Sequence, residues 1–451
     1  MKQKLTQEEL IHEVTLLLKE NNKNKLLLLL NDLHPYDLAH VYQGLMITEQ
    51  EQFISELPLP QLASILDELK LEAQKSLVEI LGVTKTAEVM EQMNSDDLPD
   101  LLEDLPEVTQ KGILSEMDTV SSEAVQKLMD YKEETAGRLM SNRFVWIPHY
   151  YTVEDAVKKL KDFAEIAKTI NYLYVIDAKK NLVGVLSYRE LILAETNEKI
   201  QDIMFERVVS VSVDTDQEQV AQIIQRYDLV AVPVVHNQVL VGIVTVDTML
   251  DVVVKEATED IEKLSAAGAN IDFDTKPQVA AFRRLPWLIL LLFIGLVAGG
   301  IVSSFQDSLG KVVALAFFMP MISGMTGNTG TQSLAVVVRG LTTRDINRKV
   351  VSKLIWRELV VGSMIGVICG ILISFIAFVW LGELILGAVV GSTLIITLII
   401  GTLTGTIIPL VLHKLKVDPA IASGPLITTI NDILSLLIYF GIATMFIIRL
   451  M

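Results

Sequence analysis

Cysteine is nearly absent. The 451 residues hold one, Cys369, inside an apolar run. A single thiol excludes an intramolecular disulfide framework and fits a cytosolic front half. Histidine is scarce as well, at six residues, and no Cys/His set has metal-ligand spacing. No Gly-rich loop is followed by a lysine in the form that cradles phosphate, and no Ser, His and acid stand at a recognisable triad spacing. The sequence therefore offers no enzymatic chemistry. A cleavable signal peptide is also missing from view, because the opening MKQKLTQEELIHEV is charged and amphipathic, not an apolar core. Membrane targeting has to come from later hydrophobic segments.

Basic charge is short in one half and acidic charge in the other. Residues 1–275 carry 25 Lys+Arg against 49 Asp+Glu, a net of −24, whereas residues 276–451 carry 13 against 6, a net of +7. Mean hydropathy is +0.44 and 51% of residues are hydrophobic, which is too apolar for an ordinary soluble protein. The length allows about three domains. The acidic half argues against nucleic acid as a partner and fits a cation-binding surface, with acidic solubility as the alternative.

Residues 1–135 read as an acidic domain of short amphipathic helices stacked in an irregular repeat, an all-α superhelix. Asp96, Asp97, Asp100, Glu103 and Asp104 cluster there, either as a solvated helix face or as half of a cation site. Residues 136–255 change to α/β. Strand-like Phe144–Pro148, Tyr172–Ile176 and Leu182–Leu186, with a turn at 177–181, are repeated by Val208–Ser212, Val230–Val235 and Val239–Val244, and Gly184 and Gly242 occupy matching places. This duplication resembles a pair of cystathionine-β-synthase (CBS) modules. The resemblance implies ATP or another adenine nucleotide between the halves, with Tyr172 on the base, Ser187 and Glu190 at the ribose, Arg189 at phosphate, and Pro233 as a further nucleotide-binding candidate. The second copy keeps Gly242 and Thr245 but has Thr248 in the acidic position. Residues 246–284 form a charged connecting helix ending near Gly268, with Asp247 and Asp251 on one face.

The remainder, 285–451, is an α-helical transmembrane domain with five spans placed at 285–305, 312–338, 354–380, 385–412 and 420–448. Basic residues collect after the second span (Arg339, Arg344, Arg348, Lys349, Lys353) and after the fourth (Lys414, Lys416). These loops and the N-terminal half are accordingly expected in the cytoplasm, with the C-terminus, including Arg449, outside. The second span holds Pro320 and a run of Gly, Ser, Thr, Asn and Gln to Ser333; its three glycines and proline weaken the helix, so a broken helix is expected, with polar groups tolerated only where they face protein or water. The fifth is expected to be interrupted at Gly424-Pro425. Between Pro419 and Ile448 its only ionisable side chains are Asp432 and Tyr439. A carboxylate in lipid costs roughly 2.5–3.5 kcal/mol on insertion scales, so Asp432 marks function by default. The alternative is a buried acid satisfied by a polar neighbour. No further intramembrane acid or histidine is expected at comparable depth.

Pro-x-x-x-Gly-x-x-Gly-Asn-x-Gly-x-Gln-Ser in the second span and Asp-Pro-Ala…Ser-Gly-Pro…Asp in the fifth look like the MgtE family of bacterial magnesium channels, and the domain order matches over nearly the whole chain. The resemblance implies a homodimer in the plasma membrane. Its pore would bind hydrated Mg²⁺ at Asp432, with Asp418, Thr428, Gly324 and Asn328 along the path. It also implies cytosolic Mg²⁺ sensing by Asp97, Asp216, Glu218, Asp228, Asp247, Asp251, Glu256, Glu259 and Asp260, with the connecting helix as a plug. Thr248 and Thr331 depart from the family pattern. A coupled transporter of Co²⁺ or Mn²⁺, and a nucleotide sensor on a membrane anchor, are the competing functions.

Overall fold

The computed structural model describes residues 6–163, 172–266, 271, 275–343 and 347–450. It divides into two compact units, 1–253 and 254–451. The first unit opens with nine α-helices among the described residues, from Gln7–Lys19 to Thr119–Met129. Local chemistry sets where they start. Thr6 and Glu9 form a capping box. Pro35 and Pro60 sit in first turns, where a missing N–H costs nothing. Asp118 accepts from the N–H groups of Val120 and Ser121 at 2.9 and 3.0 Å. One core that includes Phe53, Leu62, Leu77, Met90 and Leu101 joins the helices. Within Leu71–Met90 the chain kinks at Gly82, whose φ of 72° favours glycine.

Two three-stranded sheets follow. β1 (Trp146–Pro148) runs parallel to β2 (Tyr172–Ile176), which pairs antiparallel with β3 (Leu182–Ser187). β4 (Val211–Ser212), β5 (Ala231–His236) and β6 (Val239–Thr245) repeat that order. The repeat extends to register: Val175 stands opposite Gly184, and Val234 opposite Gly242. At each glycine a methionine occupies the space a Cβ would need, Met204 at Gly184 and Met140 at Gly242. The strand expected over Val208–Ser212 is shorter, because only Val211 and Ser212 pair with β5. Tyr174, Ile176, Ala231, Leu240 and Ile243 form an apolar seam shared by both sheets.

Helix α1 (Val246–Ser265) follows β6, and Gly268 lies outside the described residues. The second unit contains five long helices: α2 (Pro277–Ser304), α3 (Leu315–Thr343), α4 (Arg348–Leu381), α5 (Leu384–Lys414) and α6 (Gly424–Leu450). By length and composition, α2, α4, α5 and α6 are able to cross a membrane. Helix α3 is the polar one, and unlike the expectation it is unbroken. Pro320 falls in its second turn. Thr326 and Thr329 return their hydroxyls to the carbonyls of Ile322 and Met325 at 2.7 and 2.9 Å, and neighbouring helices cover Gly327 and Gly330. The expected interruption at Gly424-Pro425 is instead the start of α6. A 3₁₀ turn, Pro419–Ile421, precedes it, capped by Asp418, which accepts from the Ala420 N–H at 2.8 Å.

Candidate functional site

Glycines on α3 let two helices close on it. A Cβ at Gly327 would stand 2.7 Å from the Thr428 methyl of α6, and one at Gly401 of α5 would stand 2.7 Å from the Thr326 carbonyl. Without side chains at these points, backbone approaches backbone, as in small-residue membrane packing. That contact brings Asp432 of α6 onto α3, where the Ser323 hydroxyl donates to its Oδ1 at 2.5 Å. Oδ2 has no hydrogen-bond partner among the described residues. A neighbouring hydroxyl thus satisfies only one of the two oxygens.

Three other pore candidates, Thr428, Gly324 and Asn328, lie around this acid. Gly324 and Asn328 are exposed, and Thr428 and Asp432 are half-buried. Gly324 and Asn328 are four apart and share one face of α3. The pair α3–α6 therefore presents an open polar face carrying one carboxylate in a single copy of the chain. Thr331, at the family's departure point, bonds back to the Asn328 carbonyl at 2.9 Å.

Sequence reasoning overlooked a second acid in the helical region. Glu358 of α4 lies inside the expected third span and is 5% exposed. Its Oε1 accepts from Arg357 at 2.7 Å and its Oε2 accepts from Ser333 of α3 at 2.8 Å. Both oxygens are committed, so Glu358 fixes α4 to α3. The signal was the Trp-Arg-Glu triplet at the head of an apolar run, which reads equally well as the membrane boundary.

Asp418, at the entrance of α6, gains a partner the sequence did not suggest. Lys263 of α1 donates to Asp418 Oδ2 at 2.6 Å and pairs with Glu259 Oε1 at 2.5 Å. Burial lowers the Lys263 ammonium, but its hydrogen bonds to Asp418 and Glu259 outweigh that and hold it above the ordinary lysine range. Asp260, next to the pair, is pushed up by burial and by the Asp418 charge. Leu264 packs with Leu334, Ala420 and Ile427 beneath this contact.

The sensing candidates in the first unit are spread out. Asp216 caps the helix Gln217–Tyr227, accepting from the Glu218 N–H at 2.9 Å. Asp228 ends the same helix with φ at 53°. Glu218, Asp247 and Asp251 are exposed, Asp97 is half-buried, and Glu256 on the second-unit part of α1 is half-buried. Among the described residues, no three His, Cys, Asp or Glu stand close enough to hold a metal. A buried arginine, Arg138 at 3% exposure, already neutralises part of the acidic cluster, pairing with Asp100 at 3.3 Å and Glu103 at 2.6 Å.

At the nucleotide candidates, Ser187 and Glu190 form a capping box: Glu190 Oε2 accepts from the Ser187 N–H at 2.8 Å and its hydroxyl at 2.9 Å. Tyr172 opens β2, Arg189 is exposed, and Pro233 is buried in β5. In the second copy a hydroxyl pair, Thr245 with Thr248 at 3.0 Å, replaces the box.

Comparison with known proteins matches this architecture. A family described as "Divalent cation transporter" matches residues 319–442, the "MgtE intracellular N domain" matches 33–134, and CBS domains match 136–197 and 200–255. A "Magnesium transporter MgtE" of Bacillus subtilis (strain 168) is 55% identical over 448 residues, covering 99% of both chains. Another, of Thermus thermophilus, is 37% identical, covering 94% of this chain and 96% of its own. The soluble part of a magnesium transporter superposes with a TM-score of 0.54 at 36% identity, covering 56% of this chain and all of its own. The cytosolic domain of the Mg²⁺ channel MgtE in complex with ATP does so at 0.51 and 35%, covering 54% and 99%. These relatives are transporters, not enzymes. The chain belongs to the MgtE family of divalent cation transporters.

Proposed function

We propose that the chain is a Mg²⁺-selective channel for magnesium uptake, a homodimer whose pore runs between the α3–α6 faces of two copies. The observation that carries this is the open polar face, with Gly324, Asn328, Thr428 and one carboxylate, Asp432. One carboxylate is too little charge for a divalent ion, and two facing copies supply the balance. Mg²⁺ gives up water reluctantly, so a carboxylate meeting it through retained water suits this ion. All five long helices cross the plasma membrane in this arrangement. The first unit and the loops after α3 and α5 lie in the cytoplasm, and the C-terminus lies outside. An adenine nucleotide binds the CBS pair at Ser187, Arg189 and Glu190. In its support, the first copy holds the Glu190 carboxylate beside Ser187, and a solved relative was crystallised with ATP.

Cytosolic Mg²⁺ closes this channel by bridging acids. Asp97, Asp216, Glu218, Asp228, Asp247 and Asp251 form no three-acid metal group in one copy, so closure has to bring such groups together. Reconstituted full-length protein should pass Mg²⁺ faster than Co²⁺ or Mn²⁺, and flux should fall as Mg²⁺ rises on the side of the first unit. Uptake driven by a pH gradient without a metal gradient would instead mark a coupled transporter. Glu358 does not favour that alternative, because Arg357 and Ser333 hold its carboxylate.

Lys263 tunes closure. Its ammonium already joins α1 to Asp418, so the helix stays at the entrance even when cytosolic Mg²⁺ is low. Lys263→Met should raise flux at low cytosolic Mg²⁺ by about two- to fivefold, the reach of a partly exposed pair. The dependence on Mg²⁺ should also steepen, since Glu259, Asp260 and Asp418 then have only the metal to neutralise them. Flux unchanged across the Mg²⁺ series would remove Lys263 from the gate.

A further inference from the structure

The residue before Asp432 is buried more deeply than Asp432 itself. Asn431 has no exposed surface. Its Nδ2 donates to the Thr326 carbonyl of α3 at 3.3 Å, while its Oδ1 is buried without a partner. The amide fills the notch that Gly330 leaves, and a Cβ on Gly330 would run into Nδ2. Ile427 and Thr428, one turn earlier, meet Gly330 and Gly327. Contacts thus descend α6 against α3 in strict register, ending at Asp432 on Ser323.

A buried amide with one oxygen unpaired weakens a fold compared with an apolar side chain of the same size. Leucine has the same branched outline without the polar atoms. What the amide adds is direction: a hydrogen bond to one carbonyl fixes both the slide and the rotation of α6. A slip of one residue would move Asp432 by about 1.5 Å along the axis and turn it about 100° away from Ser323.

We propose that Asn431 is a positioning residue that sets where the Asp432 carboxylate stands, and through it the choice of ion. This rests on Asp432 being the ion-binding acid. An ion met through its retained water is sensitive to such placement, because Mg²⁺ demands near-ideal octahedral geometry.

The test uses full-length protein in liposomes, with initial rates of Mg²⁺ and Co²⁺ uptake measured over a concentration series. Asn431→Leu keeps the branched four-atom outline, with more bulk, and removes the donor. Asn431→Ser is the second variant, small enough to fit and too short to reach Thr326. Either variant, at wild-type abundance and melting temperature, should raise the apparent KM for Mg²⁺ about fivefold, the worth of one ordinary hydrogen bond. The Mg²⁺-to-Co²⁺ rate ratio should fall with it. A residue that only supported the fold would change the amount of working protein and leave KM and the ratio alone. A folded variant with wild-type KM and wild-type ratio overturns the assignment while the function stands. A wild-type protein that moves no Mg²⁺ overturns the function, and this inference with it.

Discussion

Asp432→Ala is expected to lower Mg²⁺ flux at least a hundredfold. In the proposed dimeric pore, each copy would lose one charge-assisted contact to the hydrated ion, worth about 1.5–3 kcal/mol, and the dimer two, so the combined effect is about 3–6 kcal/mol. At about 1.4 kcal/mol per factor of ten, that range corresponds to about two to four decades. Asp432→Asn separates charge from shape. It keeps an oxygen for Ser323 but removes the charge, and its flux should stay near that of alanine. Uptake by proteoliposomes measures both, with size-exclusion profiles to show that each variant assembles. Alanine flux within a factor of three of wild type would mean that the ion passes elsewhere.

The acid at the centre of that experiment is legible in the sequence because an isolated carboxylate in an apolar run has no ordinary explanation. The same holds for local features. The repeat of Gly184 at Gly242 and the polar run of the second span are both patterns visible along the chain. The partners of these residues are harder to see. Lys263 and Asp418 are 155 residues apart, and no local pattern relates a lysine in a charged helix to an N-capping aspartate. Arg138 sits in a short turn of Ala136–Leu139, where one base among many acids looks like ordinary surface charge. Asn431 reads as a polar neighbour of Asp432 until the packing shows it pressed into Gly330. The expected break in the second span fails for a related reason. Glycine weakens an isolated helix, but Gly327 and Gly330 are where other helices pack, and that packing restores what propensity loses.

The second large effect is expected at Gly405. The Gly330 carbonyl of α3 occupies the place where a Cβ on Gly405 of α5 would stand. The obstruction is backbone, so no rotamer change relieves it and the helices have to separate. Overpacking of a tight core costs about 1–3 kcal/mol for added methylenes, and Gly405→Val adds a branched side chain where even alanine does not fit. Separation would act directly on the site. Gly330 and Thr326 stand one turn apart on the same face of α3, Thr326 accepts from Asn431 at 3.3 Å, and the next residue is Asp432. Gly405→Val should therefore lower the melting temperature in detergent and abolish Mg²⁺ uptake in the protein that still folds. Gly340→Ala is the matched control farther along α3, since a Cβ there meets nothing within 4 Å, and it should retain flux. If Gly405→Val melts and conducts like wild type, the α3–α5 contact does not hold the α3 backbone in place. Asp432 would then owe its position to the α3–α6 contact alone.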